Sequence, residues 1–362
     1  LLASSAASDV YKRQNSYGRL YPKDGEVITQ ENIEKHLGEK PDKNGVATIV
    51  SIAKNVGASV DEKVNLELVN SEDGVLKKVI NIASGSSDIA TTNNGIIKAT
   101  NNGGKGVEIV SIQSGKFVNN GTIDINGAGG KGINITGANV KTENNGTIEV
   151  NGGASGVVVS NDSASFVNNE TGKIIATGTN SKGIDITKGQ AINKGTIVVG
   201  KDLETGKITS QTIGANVNGG SFENKKSIEV YGENSKGIAV YKGTATNKGT
   251  IVAQEKSAAV YLANANGSFI NEENGTIIAD GKGSKAIQFG EGAKNATNKG
   301  IIIVKNSADG VVLTKNSEFT NEEKGIINVI DTNSKGIYVN GVGNTINKGT
   351  IVVGKDLETG KI

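Results

Sequence analysis

One segment returns along this chain at intervals of about 25 residues: an asparagine, a glycine turn and a short β-branched run. It reads Phe117-Val-Asn-Asn-Gly-Thr-Ile, Ala191-Ile-Asn-Lys-Gly-Thr-Ile, Ala245-Thr-Asn-Lys-Gly-Thr-Ile and Thr345-Ile-Asn-Lys-Gly-Thr-Ile. The turn glycines are Gly95, Gly121, Gly146, Gly172, Gly195, Gly249, Gly275, Gly300, Gly325 and Gly349, with Lys226 in the one place without glycine. A period of this length calls for stacked units that each contact only their neighbours, a solenoid rather than a globule.

Composition agrees. Aromatic residues are 4% of 362, and Trp, Met and Cys are absent, so bulk for a compact core is scarce. A net charge of +2 gives no field suited to nucleic acid. Without cysteine there is no disulfide framework and no thiol chemistry. No apolar run reaches the ~18 residues of a membrane-spanning helix. Leu1–Gln14 does not read as a signal peptide; it resembles an adapter-derived, non-native end and is set aside. Ile192–Ile208 (INKGTIVVGKDLETGKI) returns letter for letter as Ile346–Ile362, and the natural chain is expected to run on at both ends.

Residues 15–92 are expected to form a linker followed by irregular N-terminal coils or a cap, with a helical turn at Asn32–Leu37 and strands at Val46–Ile52, Val64–Val69 and Val75–Ile82. Regular repeats are expected over 93–362. There each unit resolves into three short strands with period-2 alternation, one rung of a three-faced parallel β-helix. The first strand follows the glycine turn and points Ile123, Ile148, Ile174, Ile197, Ile228, Ile251, Ile277, Ile302, Ile327 and Ile351 inward. The second begins at Lys105-Gly-Val, Lys131-Gly-Ile, Lys182-Gly-Ile, Lys236-Gly-Ile and Lys335-Gly-Ile, with Val107, Ile133, Val157, Ile184, Ile238, Val260, Ile287, Val311 and Ile337 inward. Burying one such side chain stabilises by roughly 1.5–3 kcal/mol, while ordering each residue costs roughly 1–2 kcal/mol of backbone entropy. A lone rung therefore cannot hold itself; stability must come from stacking.

The third strand carries a finer rhythm. Its inward position is read as Phe117, Val140, Phe166, Ala191, Phe222, Ala245, Phe269, Ala296, Phe319 and Thr345. A ring over a small residue fills the core where two consecutive rings would collide, so the sequence unit is a double rung of about 50 residues. Two residues further on stand Asn119, Asn168, Asn193, Asn224, Asn247, Asn271, Asn298, Asn321 and Asn347, read as a structural ladder of stacked side-chain amides in preference to a ligand site.

Catalytic motifs are hard to find. His36 is the only histidine and has no partner motif around it, so it reads as a surface residue. Gly127-Ala-Gly-Gly-Lys-Gly132 matches GxGxxG in letters only, without the strand-to-helix setting that binds phosphate. Gly200–Lys207 has one residue too many for a P-loop. The enzyme alternative is a carbohydrate-active β-helix, a polysaccharide lyase or hydrolase, which needs carboxylates clustered on adjacent rungs. Asp124 and Glu149 are the one such pair, read here as a solvated face. Outward on the later first strands, Ile175, Val198, Val252, Ile278 and Ile303 make an apolar stripe. It is read either as partner contact or as surface covered by a turn or a lysine stem. No catalytic residue, metal ligand or cofactor is assigned.

The rungs N-x-G-x-I-x-V and S-K-G-I-x-x resemble the passenger regions of type V autotransporters, in particular the large Lys/Asn-rich fusobacterial-type adhesins, over about residues 46–362. That resemblance implies a right-handed single-stranded parallel β-helix displayed on a Gram-negative cell surface, with an N-terminal export signal and a C-terminal translocator barrel outside this sequence. The function it implies is a non-enzymatic stalk or adhesin whose partner is a host or bacterial surface protein or glycan. A phage or secreted fibre is the third expectation.

Overall fold

The computed structural model describes residues 20–36, 47–53, 55–71, 76–83, 90–103 and 106–360. They wind into a three-faced parallel β-solenoid with one short helix, Gln30–His36. The first face is a ladder of twelve parallel strands, from Asn65–Ser71 to Thr350–Val353. At ~4.8 Å per strand it makes a rod about 55 Å long. Lys131–Ile135 and Lys141–Asn144 are typical strands of the second and third faces. In two windings these faces join in one twelve-residue strand, Ile213–Asn224 and Lys236–Asn247. There the corner is turned by glycines with positive φ, Gly220 (67°) and Gly243 (94°).

Equivalent residues lie directly over one another. Ile123 pairs with Ile97 on one side and Ile148 on the other. The burial this gives comes from the neighbour and not from the rung itself. Asn-Lys-Gly-Thr-Ile-Val-Val occurs twice; Ile197 is 0% exposed with a winding on either side, whereas Ile351 in the last described winding is 40% exposed. The turn glycines serve this stacking. A Cβ on Gly146 would press into the carbonyl oxygen of Gly121 in the winding below, so glycine is needed there for close approach rather than for an unusual φ.

Parallel pairing crosses residue 93 without a break. Ala47–Ile52 pairs with Leu76–Ile82, which pairs with Glu108–Ile112, and Asn65–Ser71 pairs with Ile96–Asn102. Where the structure describes it from residue 47, the region expected to be irregular belongs to the same ladders. The helix begins two residues earlier than the expected turn. Thr29 and Asn32 cap it reciprocally, each backbone N–H donating to the other's side-chain oxygen (3.0 and 3.3 Å), and Ile33 enters the core. The His36 side chain, Leu1–Gln14 and Lys105 lie outside the described residues.

Two expected registers need correction. Ile133 pairs with Val110, not Val107, and Lys131 with Glu108. The first-face strand Ile96–Asn102 is longer than its successors and delays the second face by three residues. On the third face Phe117 and Phe166 both pair with Thr142, not Val140. Thr142 is buried, and Val140 fills the core two residues earlier. The alternation that results is Thr91, Phe117, Thr142, Phe166, Ala191, Phe222, Ala245, Phe269, Ala296, Phe319, Thr345.

Candidate functional site

The outward column of the first face reads Glu67, Lys98, Asp124, Glu149, Ile175, Val198, Glu229, Val252, Ile278, Ile303, Asn328 and Val352, each in register with the next. Directly after Val199 the chain leaves the ladder. Lys201 and Ile208 bridge antiparallel at the base of a loop. At its tip Asp202 Oδ1 accepts from the backbone N–H of Glu204 and of Thr205, both at 2.9 Å, which closes an Asx turn.

The loop leans back over earlier windings. Asp202, Leu203 and Glu204 meet Lys98, Asp124, Glu149 and Ile175 around a cleft of about 300 Å³. Five carboxylates (Glu67, Asp124, Glu149, Asp202, Glu204) thus share it with one lysine. Burial pushes the Asp124 carboxyl above its ordinary pKa; Lys98, 3.8 Å away, opposes this, and Glu67 and Glu204 add to it. Burial likewise raises Glu149, helped by Asp124 and Glu204. Asp124 and Glu149 are therefore the floor of a roofed acidic cleft rather than a fully solvated face. Carboxyls so placed can hold a proton or attract a cation. No group of three or more His, Asp or Glu among the described residues has metal-holding geometry.

A family model described as the third pectate lyase-like domain of BigA matches residues 49–255. This chain belongs to that family. The matched span holds the whole cleft and its roof. No curated protein and no solved structure matches the chain.

The apolar stripe is not continuous in this BigA-type solenoid. Val198 is 3% exposed and Ile175 lines the cleft beneath the loop. Glu229 then stands between Val198 and Val252, its carboxylate accepting from the Tyr231 hydroxyl at 3.0 Å. Val252, Ile278 and Ile303 remain together, half-buried, as a separate patch. Glu229 is in plain view in the sequence, but the roofing of Ile175 depends on where the loop at 200–208 folds, which periodicity does not report.

At the turn between the third and first faces, a row of asparagine side chains runs the length of the rod. From Asn93 each Nδ2 donates to the Oδ1 of the next, through Asn119, Asn144, Asn168, Asn193, Asn224, Asn247, Asn271, Asn298, Asn321 and Asn347, at 2.7–2.8 Å. Most also donate to the carbonyl of the turn glycine in their own winding, as Asn193 does to Gly195 at 3.1 Å. All but Asn347 are buried, leaving their amides no room for a ligand. Asn93 and Asn144 are additions to the sequence reading; Asn144 becomes visible once Thr142 is placed in the phenylalanine column. A second row lies outside it: Asn120 donates to Asn94, Asn145 to Asn120 and Asn169 to Asn145, at 2.9, 2.8 and 2.8 Å. In later windings this outer row turns ionic, with Lys299–Glu272 at 3.4 Å and Lys348–Glu322 at 3.1 Å.

Proposed function

We propose that this chain is a surface-displayed, non-enzymatic passenger of the autotransporter type, serving as a stalk and adhesin. The observation that carries the reading is the unbroken asparagine row. It ties every winding from Asn93 to Asn347 to the next, so each rung gains its buried bonds only when its neighbour is in place. A chain built that way can fold from one end as it emerges from a membrane, and the growing stack resists return. Membership of the BigA domain family supports display as an adhesin-type β-helix. The expected partner is a host or bacterial surface protein or glycan, and the expected anchor is a translocator barrel C-terminal to these residues.

The test is display. The chain is fused between an export signal and a translocator barrel in a non-adherent Gram-negative host, labelled on intact cells, and scored for adherence to epithelial cells and matrix. Labelling of intact cells with a gain in adherence is expected. Labelling only after permeabilisation would overturn the passenger reading, and labelling without adherence would overturn the adhesin.

The acidic cleft favours one alternative, a carbohydrate-active enzyme in which Asp124 and Glu149 act on a glycan. Turnover of a polysaccharide panel, lost in Asp124→Ala and Glu149→Ala, would establish it in place of the first reading.

A further inference from the structure

Between the first and second faces the chain turns, winding after winding, through a residue with positive φ. Three in succession are Asn180 (65°), Gln211 (58°) and Asn234 (60°). Their backbones are engaged. The N–H of Asn180 donates to Gln211 O at 3.0 Å, that of Gln211 to Glu233 O at 3.0 Å, and that of Asn234 to Lys256 O at 3.1 Å. Their carboxamides make no hydrogen bond to any described residue. Elsewhere in this rod exposed amides of adjacent windings bond one another, as Asn145 does to Asn120. These three are left open, and each can donate and accept.

They share a cleft of about 400 Å³ with Lys182, Ile213, Lys236 and Tyr241. Lys182 is neutralised by Asp185 at 2.7 Å, and Asp185 also accepts from Asn216 at 2.7 Å. Lys236 has no carboxylate partner among the described residues. Its ammonium lies over the Tyr261 ring, 5.0 Å from the centroid, and burial lowers its pKa. Tyr261 in turn meets Tyr241 edge-on, with centroids 6.2 Å apart. Ala239, in the outward column beside Tyr261, is 0% exposed. One cleft therefore combines a tyrosine wall, a half-desolvated cation without a counter-ion, and a row of three unused carboxamides.

We propose that this cleft binds a carboxylate-bearing sugar residue of a glycan, with the carboxylate on Lys236, a pyranose face on Tyr241 and ring hydroxyls on the Asn180, Gln211 and Asn234 carboxamides. Each part answers one part of such a ligand. The C–H face of a pyranose is apolar and suits an aromatic wall. Hydroxyls both donate and accept, as carboxamides do and ammonium groups do not. A single free cation suits a singly charged group, whereas phosphate recognition favours several cations or an arginine fork, and no arginine is among the described residues lining the cleft. The volume falls within the range of small-ligand sites, roughly 300–1,000 Å³. The inference deepens the adhesin reading and rests on it for its biological setting, but the binding chemistry is tested on the purified chain alone.

Saturation-transfer NMR and titration calorimetry of the full chain would use three probes: sialyllactose, a glucuronic-acid-terminated disaccharide, and lactose as the neutral comparison. At least one acidic probe is expected to bind about tenfold more tightly than lactose. Lys236→Gln should bring it down to the lactose level, Lys236→Arg should retain the preference, and Tyr241→Ala should abolish both. Both side chains are partly exposed, and circular dichroism checks that each variant keeps the wild-type fold. Absence of binding by both acidic probes at millimolar concentration, or binding indifferent to Lys236→Gln and Tyr241→Ala, overturns the proposal. Binding without adherence in the display assay would leave this site standing and remove the adhesin; adherence without binding would do the reverse.

Discussion

Asn193→Ala is the sharpest perturbation of this rod. In the folded chain Asn193 Nδ2 donates to Asn224 Oδ1 at 2.8 Å and lies 3.1 Å from the carbonyls of Gly195 and Ser227, while its Oδ1 accepts from Asn168 at 2.8 Å. Alanine removes the whole set and leaves an N–H of Asn168 and the Oδ1 of Asn224 buried without their partners. Each orphaned buried group costs about 1–3 kcal/mol, so the variant should lose ~4 kcal/mol. If 362 residues melted as one unit, at about 2.1 cal/mol/K per residue, that would lower Tm by about 5 °C. Solenoids also open locally, so hydrogen exchange is the better readout. Protection should fall first at the Lys194 and Lys225 amides, which donate to Asn168 O and Asn193 O. Asn347→Ala is the internal control, since Asn347 is exposed and its Oδ1 accepts only from Asn321. Urea titration should separate the two variants clearly, and a cost for Asn193→Ala within about 0.5 kcal/mol of Asn347→Ala, the scatter of ordinary surface changes, would refute the reasoning.

Asn193→Asp adds a pH signature: a buried carboxylate facing three acceptor oxygens has its folded pKa raised above the unfolded ~3.9. Relative to wild type, stability should then be greatest below pH ~4 and fall as pH rises through the folded value, and a variant whose deficit against wild type is smaller at pH 7 than at pH 4 contradicts this. Ala245→Phe puts a third ring between Phe222 and Phe269 and should cost about 1–3 kcal/mol or more. Phe222→Ala should cost about 3–5 kcal/mol, and the double variant, measured by urea titration, should cost less than the sum; strict additivity would deny that adjacent windings share core volume. In the acidic cleft, burial first and neighbouring carboxylates second raise Asp124 and Glu149, so their ionisation opposes folding above pH ~4. Asp124→Asn with Glu149→Gln should raise Tm at pH 7, with the gap closing as pH falls below ~4; a lowered Tm at pH 7 refutes it.

The fold was legible because the inward columns repeat in type as well as in period. Isoleucine follows every turn glycine, and the Phe-x-Asn spacing marks the third face. Hydrophobicity misleads where it departs from that spacing. Val140 drew the third strand two residues too early, although Thr142-x-Asn144 keeps the grammar. The Val107 register failed because extra residues in one strand leave no trace in letter type. The cleft was legible only in part. Asp124 and Glu149 could be placed one above the other from period alone, but their roof comes from a loop whose direction is set by an Asx turn and by packing.

The letter-for-letter repeat separates what a loop does from what lies beneath it. Asp356 accepts from the N–H of Glu358 and Thr359 at 2.9 and 3.3 Å, as Asp202 does from Glu204 and Thr205, so the turn is intrinsic to its own residues. The surroundings differ. Two windings before the first loop the outward column holds Glu149; two windings before the second it holds Ile303, with Lys305 where the first has Asn151. Lys305 helps hold the Asp356 carboxyl below its ordinary range, after the hydrogen bonds from Thr359 and Glu358. The rungs thus supply the carboxyls at the floor of the cleft, and the loop adds Asp202, Glu204 and the roof. Ile303→Glu with Lys305→Asn should accordingly recreate under the second loop the carboxyl behaviour seen under the first. A carboxyl introduced by Ile303→Glu that titrates above the usual glutamate range in carbon-13 NMR would bear this out, and one titrating at or below the usual value, beneath a loop of the same sequence, would refute it.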